Sequence, residues 1–154
     1  MTSDTYTIEK QIVLRAPRSR VWRALTNSGE FTQWFGMALD EPFLPGTVVH
    51  GRSTNPDWAH LPFEVTVDRM EPEHTFAWRW HPGMPGPGED FSAEPLTTVV
   101  FTLEDVPEGT LLRVFETGFD ALPDPRRNPA FEMNIEGWTY QFESLRRYVE
   151  NGGA

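Results

Sequence analysis

Cysteine is absent from the 154-residue chain, which excludes disulfides, thiolate nucleophiles and cysteine-ligated metals. Lysine is nearly absent too: all but Lys10 of the 13 basic residues are arginine, and the formal net charge is −10. An acidic excess of that size repels phosphate backbones and anionic bilayers, so neither nucleic acid nor a membrane is expected as a partner. No apolar run reaches the length of a membrane span. The opening MTSDTYTIEK lacks the basic-then-apolar layout of a signal peptide, and a cytoplasmic protein is the expectation. Also missing are a G-x-S-x-G elbow, a phosphate loop and a dinucleotide fingerprint. His50, His60, His74 and His81 show neither i, i+4 pairing nor clustering. They read as turn or surface residues, with no metal and no cofactor implied.

What the chain has in quantity is aromatic mass. Aromatics make up 13% of it, with 6 Trp and 11 Phe, against 38% hydrophobic residues in all. Rings that large fill a core or line a cavity. The length fits a single domain over residues 1–154, able to bury about 70% of the surface of its unfolded chain.

Period-two patterns dominate. YTIEKQIVLRAP reads as a first strand. PRSRVWRALTN follows as a helix opened by Pro17, with Val21, Trp22 and Leu25 on one stripe. SGEFTQWF reads as a second short helix with Ser28 as its cap and Phe31, Trp34 and Phe35 on its apolar side. MALDEPF, TVVHGRS, FEVTVDRM, TFAWRW and TTVVFTLEDV follow as strands. Pro45-Gly46 supplies the centre of a type II turn. RVFETGF, residues 113–119, completes seven strands, which argues a largely antiparallel sheet. A final helix is expected from Asn128-Pro129, because Phe131, Ile135, Trp138, Phe142, Leu145 and Val149 recur at four, three, four, three and four until NGG stops it. About 20 residues make a rod of about 30 Å, long enough to cross a sheet. The Pro- and Gly-rich connection over residues 81–95 reads as a mobile hairpin tip ahead of a lid.

LRAPRSRVWRALTNSGEFTQWF, the Pro45-Gly46 turn, Trp78, VVFTLEDVPEGTLLRV, ETGF and GWTYQFESLRRYV together resemble proteins similar to the activator of heat shock protein 90 ATPase. That family belongs to the START-like superfamily, with the birch-pollen allergen and polyketide cyclases. The resemblance runs from about Ile8 to Val149. It implies an α+β helix-grip fold: a seven-stranded antiparallel sheet wrapped around a long C-terminal helix, two short helices after the first strand, and an apolar cavity between sheet and final helix. Fold analogy alone does not choose among the superfamily's ligand carriers, cyclases and chaperone partners.

Glu116 is the residue that poses a chemical question. It shares the parity of Leu112 and Val114, so a carboxylate faces the side the apolar residues face. In relatives this position, ahead of the Gly118-Phe119 pair, is commonly polar. Either the strand is ending there, and Glu116 meets water or an arginine at the rim, or the acid is the polar anchor of an apolar cavity. In the second case the expected cavity residues are Trp34, Phe63, Val65, Phe76, Trp78, Trp80, Phe101, Val114, Glu116, Asn134, Trp138 and Phe142. Gly137 inside the helix costs about 1 kcal/mol relative to alanine; close helix-on-sheet packing is favoured over space for a ligand as the reason. His81 is expected to face outward beside an inward Trp80. Three functions follow. The first is binding of a hydrophobic or aromatic small molecule, the second activation of a chaperone ATPase, and the third a cyclase- or hydratase-like reaction with Glu116 as the proton-transferring group. A monomer and a homodimer are equally open.

Overall fold

The computed structural model of the protein describes residues 6–59, 62–83 and 90–151. His60 and residues 84–89 of the long connection lie outside them, so the reading of His60 and of that loop as a tip or lid has no counterpart below. The elements are β1 (Ile8–Leu14), α1 (Arg18–Thr26), α2 (Ser28–Phe35), β2 (Met37–Leu39), β3 (Val48–Ser53), β4 (Phe63–Glu71), β5 (Thr75–Trp80), β6 (Thr97–Val106), β7 (Gly109–Thr117) and α3 (Asp124–Glu150). The sheet runs in the order β1-β7-β6-β5-β4-β3-β2 with every neighbouring pair antiparallel. This is the helix-grip arrangement expected from the sequence. No helix of the described residues is long and apolar enough to cross a membrane.

Local chemistry explains most boundaries. Gly46 takes φ +81° between Leu44 and Thr47, and Thr47 N–H closes the turn on Leu44 O at 3.2 Å. That is the type II geometry a central glycine permits. Two helix starts differ from expectation. Asn27 rather than Ser28 caps α2, its Oδ1 accepting from Glu30 N–H at 3.0 Å; either residue type serves, and the one just outside the first turn wins. The last helix begins at Asp124, ahead of the expected Asn128-Pro129, and has 27 residues. Pro123 and Pro125 suit its first turn. Pro129 then sits inside it, at the loss of one backbone hydrogen bond, because apolar contacts continue through Ala130 and Phe131. Asn128, no longer a cap, accepts from the Tyr6 hydroxyl at 2.7 Å.

The helices are pinned by one acidic group. Glu30 on α2 accepts from Arg20 at 2.6 Å and Arg23 at 2.7 Å on α1, and from the Tyr148 hydroxyl on α3 at 3.1 Å. Burial pushes the Glu30 carboxyl up, yet the hydrogen bonds from Arg20, Arg23 and Tyr148 outweigh it and hold the group below its ordinary value. A carboxyl depressed in the folded state adds stability above its unfolded value, about 4.3, and loses it as pH falls through the lower folded value. Glu30→Gln is therefore expected to cost about 1 kcal/mol at neutral pH, a gap that closes toward pH ~3. Urea titrations of both proteins at the two pH values check this; an equal gap at both would mean that packing, not charge, is at stake.

Candidate functional site

The interior between sheet and α3 is largely filled by its own rings. Trp78, Phe76, Phe31 and Phe101 are all fully buried. Around the Trp78 indole stand Phe101 at 5.3 Å, Phe76 at 5.5 Å, Phe31 at 6.0 Å and Phe43 at 6.3 Å between ring centres. Edge and stacked contacts of this kind leave little unfilled space.

A cavity of about 650 Å³ opens beyond this packed zone. Its wall is built by Phe35 of α2, Phe63 and Glu64 of β4, Trp80 at the end of β5, and one stripe of α3. That stripe is Met133, Asn134, Gly137, Trp138 and Gln141, the three-and-four spacing of a single helix face. Trp58, His81, Gly83, Asp90, Phe91 and Ser92 close the rest, with Met37, Ser53 and Pro62.

Among the residues expected at a cavity, Phe63, Trp80, Asn134 and Trp138 lie on this wall. Phe76, Trp78, Phe101, Val65 and Val114 do not; they are buried in the core cluster, on β4 to β7. Trp34 points elsewhere because neighbours on a helix diverge by about 100°. Its indole N–H donates to Ala24 O of α1 at 2.7 Å, and Phe35 takes the wall. Phe142 packs 6.4 Å from Trp138, leaving Gln141 to face the cavity.

Glu116 is not on the wall either. It is fully buried near the end of β7, the strand next to the sheet edge, opposite Val99 on one side and Ile8 on the other. It therefore meets neither the solvent nor the arginine that a rim position would bring. Four neutral side chains converge on it instead. Trp138 Nε1 donates to Oε1 at 2.8 Å, Trp80 Nε1 to Oε2 at 2.9 Å, and the Thr97 hydroxyl to Oε2 at 2.6 Å. Asn134 Nδ2 spans both oxygens at 3.0 and 2.9 Å. Indole and amide N–H groups can only donate, so the oxygens they meet act as acceptors, as a carboxylate's do. Trp80, Trp138 and Asn134 all also line the cavity. The acid lies directly behind the cavity and fixes the rings that line it.

Asn134 carries the arrangement one step further, since its Oδ1 accepts from Gly83 N–H at 3.2 Å. The segment after β5 is held again by Arg126, which donates to Pro82 O and to Glu94 at 3.0 Å each and lies 3.5 Å above the Phe91 ring. His81 ends up on the wall rather than facing out, because strand parity stops at Trp80. Its Nε2 donates to Glu94 O at 3.0 Å. The backbone N–H and the hydroxyl of Ser92 hold the Asp90 carboxyl below its ordinary value.

Packing does not account for Gly137, which is exposed. A Cβ built on it would meet nothing within 4 Å, so no helix-on-sheet contact requires glycine there. Among the described residues, no three His, Asp or Glu side chains gather as metal ligands would.

The family model described as "Activator of Hsp90 ATPase homolog 1-like protein" matches residues 15–150. The chain belongs to that family. Membership spans α1 to α3 and so includes Glu116, Asn134 and Trp138. A search of the curated proteins finds no match. Among solved structures, DynU16 of the dynemicin biosynthetic locus is 26% identical with a TM-score of 0.74, covering 95% of this chain but 48% of its own. This chain thus spans about half the length of that relative. MLL2253 from Mesorhizobium loti is 24% identical, TM-score 0.74, with 94% and 97% covered. The Aha1 dimer from Colwellia psychrerythraea is 19% identical, TM-score 0.71, with 96% and 98% covered. These last two share the fold.

Two tryptophans of this family member make a controlled comparison. Trp78 is wholly buried with no hydrogen-bond acceptor for its indole N–H, whereas Trp138 donates to Glu116. Both substitutions to phenylalanine lose ring volume, but only Trp138→Phe takes a donor from a buried anion. Trp138→Phe is expected to destabilise by about 1.5–3 kcal/mol more than Trp78→Phe. Denaturant midpoints decide it, and equal losses would deny the hydrogen bond any net value.

Proposed function

We propose that the protein binds a hydrophobic or aromatic small molecule in the cavity between α3, β4 and the end of β5. The observation that carries this reading is Gly137, a helix-interior glycine facing open space in a wall otherwise made of rings. Glycine there is costly to a helix, and no contact among the described residues explains it; room for an occupant does. The cavity's size and its mix of apolar walls with a few placed polar groups fit a small-molecule site. Glu116 serves this site as a positioning residue. Sealed behind the wall with every donor around it engaged, it orients Trp80, Asn134 and Trp138 rather than touching what binds.

The neutral dye N-phenyl-1-naphthylamine tests the reading. One equivalent is expected to bind, with a rise in dye emission and a matching loss of tryptophan emission. Absence of saturable binding would refute it.

A second reading rests on the family description, which names an ATPase activator. Under it the protein raises the ATPase rate of its host's own chaperone. No acceleration at saturating protein would remove that reading. The dimer seen for the Colwellia relative makes a homodimer the first assembly to look for by sedimentation.

A further inference from the structure

Apart from His81, which lines the wall and acts on Asp90, the ionisable groups around the cavity are acids. Among the described residues no lysine or arginine lines it, while Glu64 and Asp90 do. Arg126, the cation across the Phe91 ring, is ion-paired to Glu94. A third carboxylate, Glu116, stands behind the wall with no cation against it. Its position matters for the rings in front. An anion accepting from the N–H edges of Trp80 and Trp138 pulls the positive edge of each indole toward itself and enriches the opposite, cavity-lining part of the ring in negative potential.

Rings are also what a bound molecule would touch. Phe35, Phe63, Trp80 and Trp138 come together with ring centres 5.9–6.5 Å apart. Clustered aromatic faces attract cations, tryptophan most strongly, and cages of such rings suit quaternary ammonium groups. The hydrogen-bonding groups lean the same way. Gln141 donates to Phe35 O at 3.1 Å, and its Oε1 is buried without any partner, an acceptor in surplus within the wall. Glu64 alternates with the inward Phe63, and its carboxylate turns to the opposite face of the strand, Oε1 3.6 Å from a His50 nitrogen.

We infer that the cavity selects an organic cation: a tertiary or quaternary amine carried on an apolar or aromatic body, its charged end against the four rings and the rim carboxylate Asp90. This rests on the proposed ligand-binding function and narrows it to a charge class. The sign of selectivity is informative, because a neutral molecule of the same shape gives up no hydration on entering an apolar hole and a cation gives up a great deal. Walls that were merely apolar would prefer the neutral isostere.

The test is displacement of N-phenyl-1-naphthylamine by three probes of matched size: benzyltrimethylammonium, its carbon isostere neopentylbenzene, and the anion phenylacetate. The cation is expected to displace the dye at a concentration about tenfold below that of the isostere, with phenylacetate weakest. In the Asp90→Asn variant that preference, each probe being referred to the variant's own dye affinity, should fall severalfold. Equal displacement by cation and isostere, or an advantage for the isostere or the anion, overturns the inference and leaves apolar binding standing. An undiminished preference in the Asp90→Asn variant overturns the role given to that carboxylate. If no dye binds at all, it is the underlying function that fails.

Discussion

Glu116→Leu is expected not to fold, or to lose at least 5 kcal/mol if it does. Leucine is close in volume, so the loss is not one of packing. It comes from leaving Trp80, Thr97, Asn134 and Trp138 with no acceptor at a fully buried site. Each orphaned donor costs about 1–3 kcal/mol, and hydrogen bonds to a charged partner are the stronger kind. Their sum reaches the whole stability of a typical domain. Glu116→Gln keeps one acceptor oxygen but turns an NH₂ toward an indole N–H, that of Trp80 or Trp138, which cannot accept from it, and about 2–4 kcal/mol should be lost. Urea unfolding with tryptophan detection reads both. A leucine variant within 1 kcal/mol of the parent would show that the convergence of donors on this acid contributes little. The glutamine result also bears on chemistry. A proton-transferring group must reach its substrate, whereas this one is expected to act on stability and ring orientation even where nothing is bound.

The second large effect runs the opposite way, on binding without stability. Gly137→Phe places a ring in the cavity, since nothing lies within 4 Å of the new Cβ. The helix gains from losing a glycine, by up to about 1 kcal/mol. Binding of N-phenyl-1-naphthylamine should fall by tenfold or more, while the midpoint of unfolding stays the same or rises. Gly137→Ala is the graded control: a small gain in stability and a modest loss of affinity. Unchanged dye affinity in the phenylalanine variant would mean that the dye sits elsewhere.

The fold was legible because its signals are local and repeated. Alternation in FEVTVDRM and TFAWRW, the Pro45-Gly46 turn and the apolar recurrence from Phe131 to Val149 each map onto one element. Only boundaries moved, where two chemically adequate caps competed or where packing carried a helix through Pro129. Glu116 could be singled out by parity, since β7 is regular. What parity could not give is depth. Phe63, Val65, Phe76 and Trp78 face the same side, but which of them ends at a cavity and which is covered by rings depends on where α2 and α3 come to rest. Met133 and Gln141 were within reach of the sequence, standing four residues on either side of Gly137. His81 and Phe91 were not, because they reach the wall from an irregular segment with no period to read.

The buried carboxylate has one more consequence. Its negative charge is balanced entirely by dipoles that the fold itself supplies. Dissolved ions weaken attraction between charges at the surface, as in the pairing of Arg113 with Glu104 at 3.2 Å, but they do not enter a sealed interior. Ionic strength thus divides the molecule into two regimes. The rim of the cavity responds to salt and the anchor behind it does not, so any selectivity for charge can fade in brine while the shape that receives a guest stays as it was.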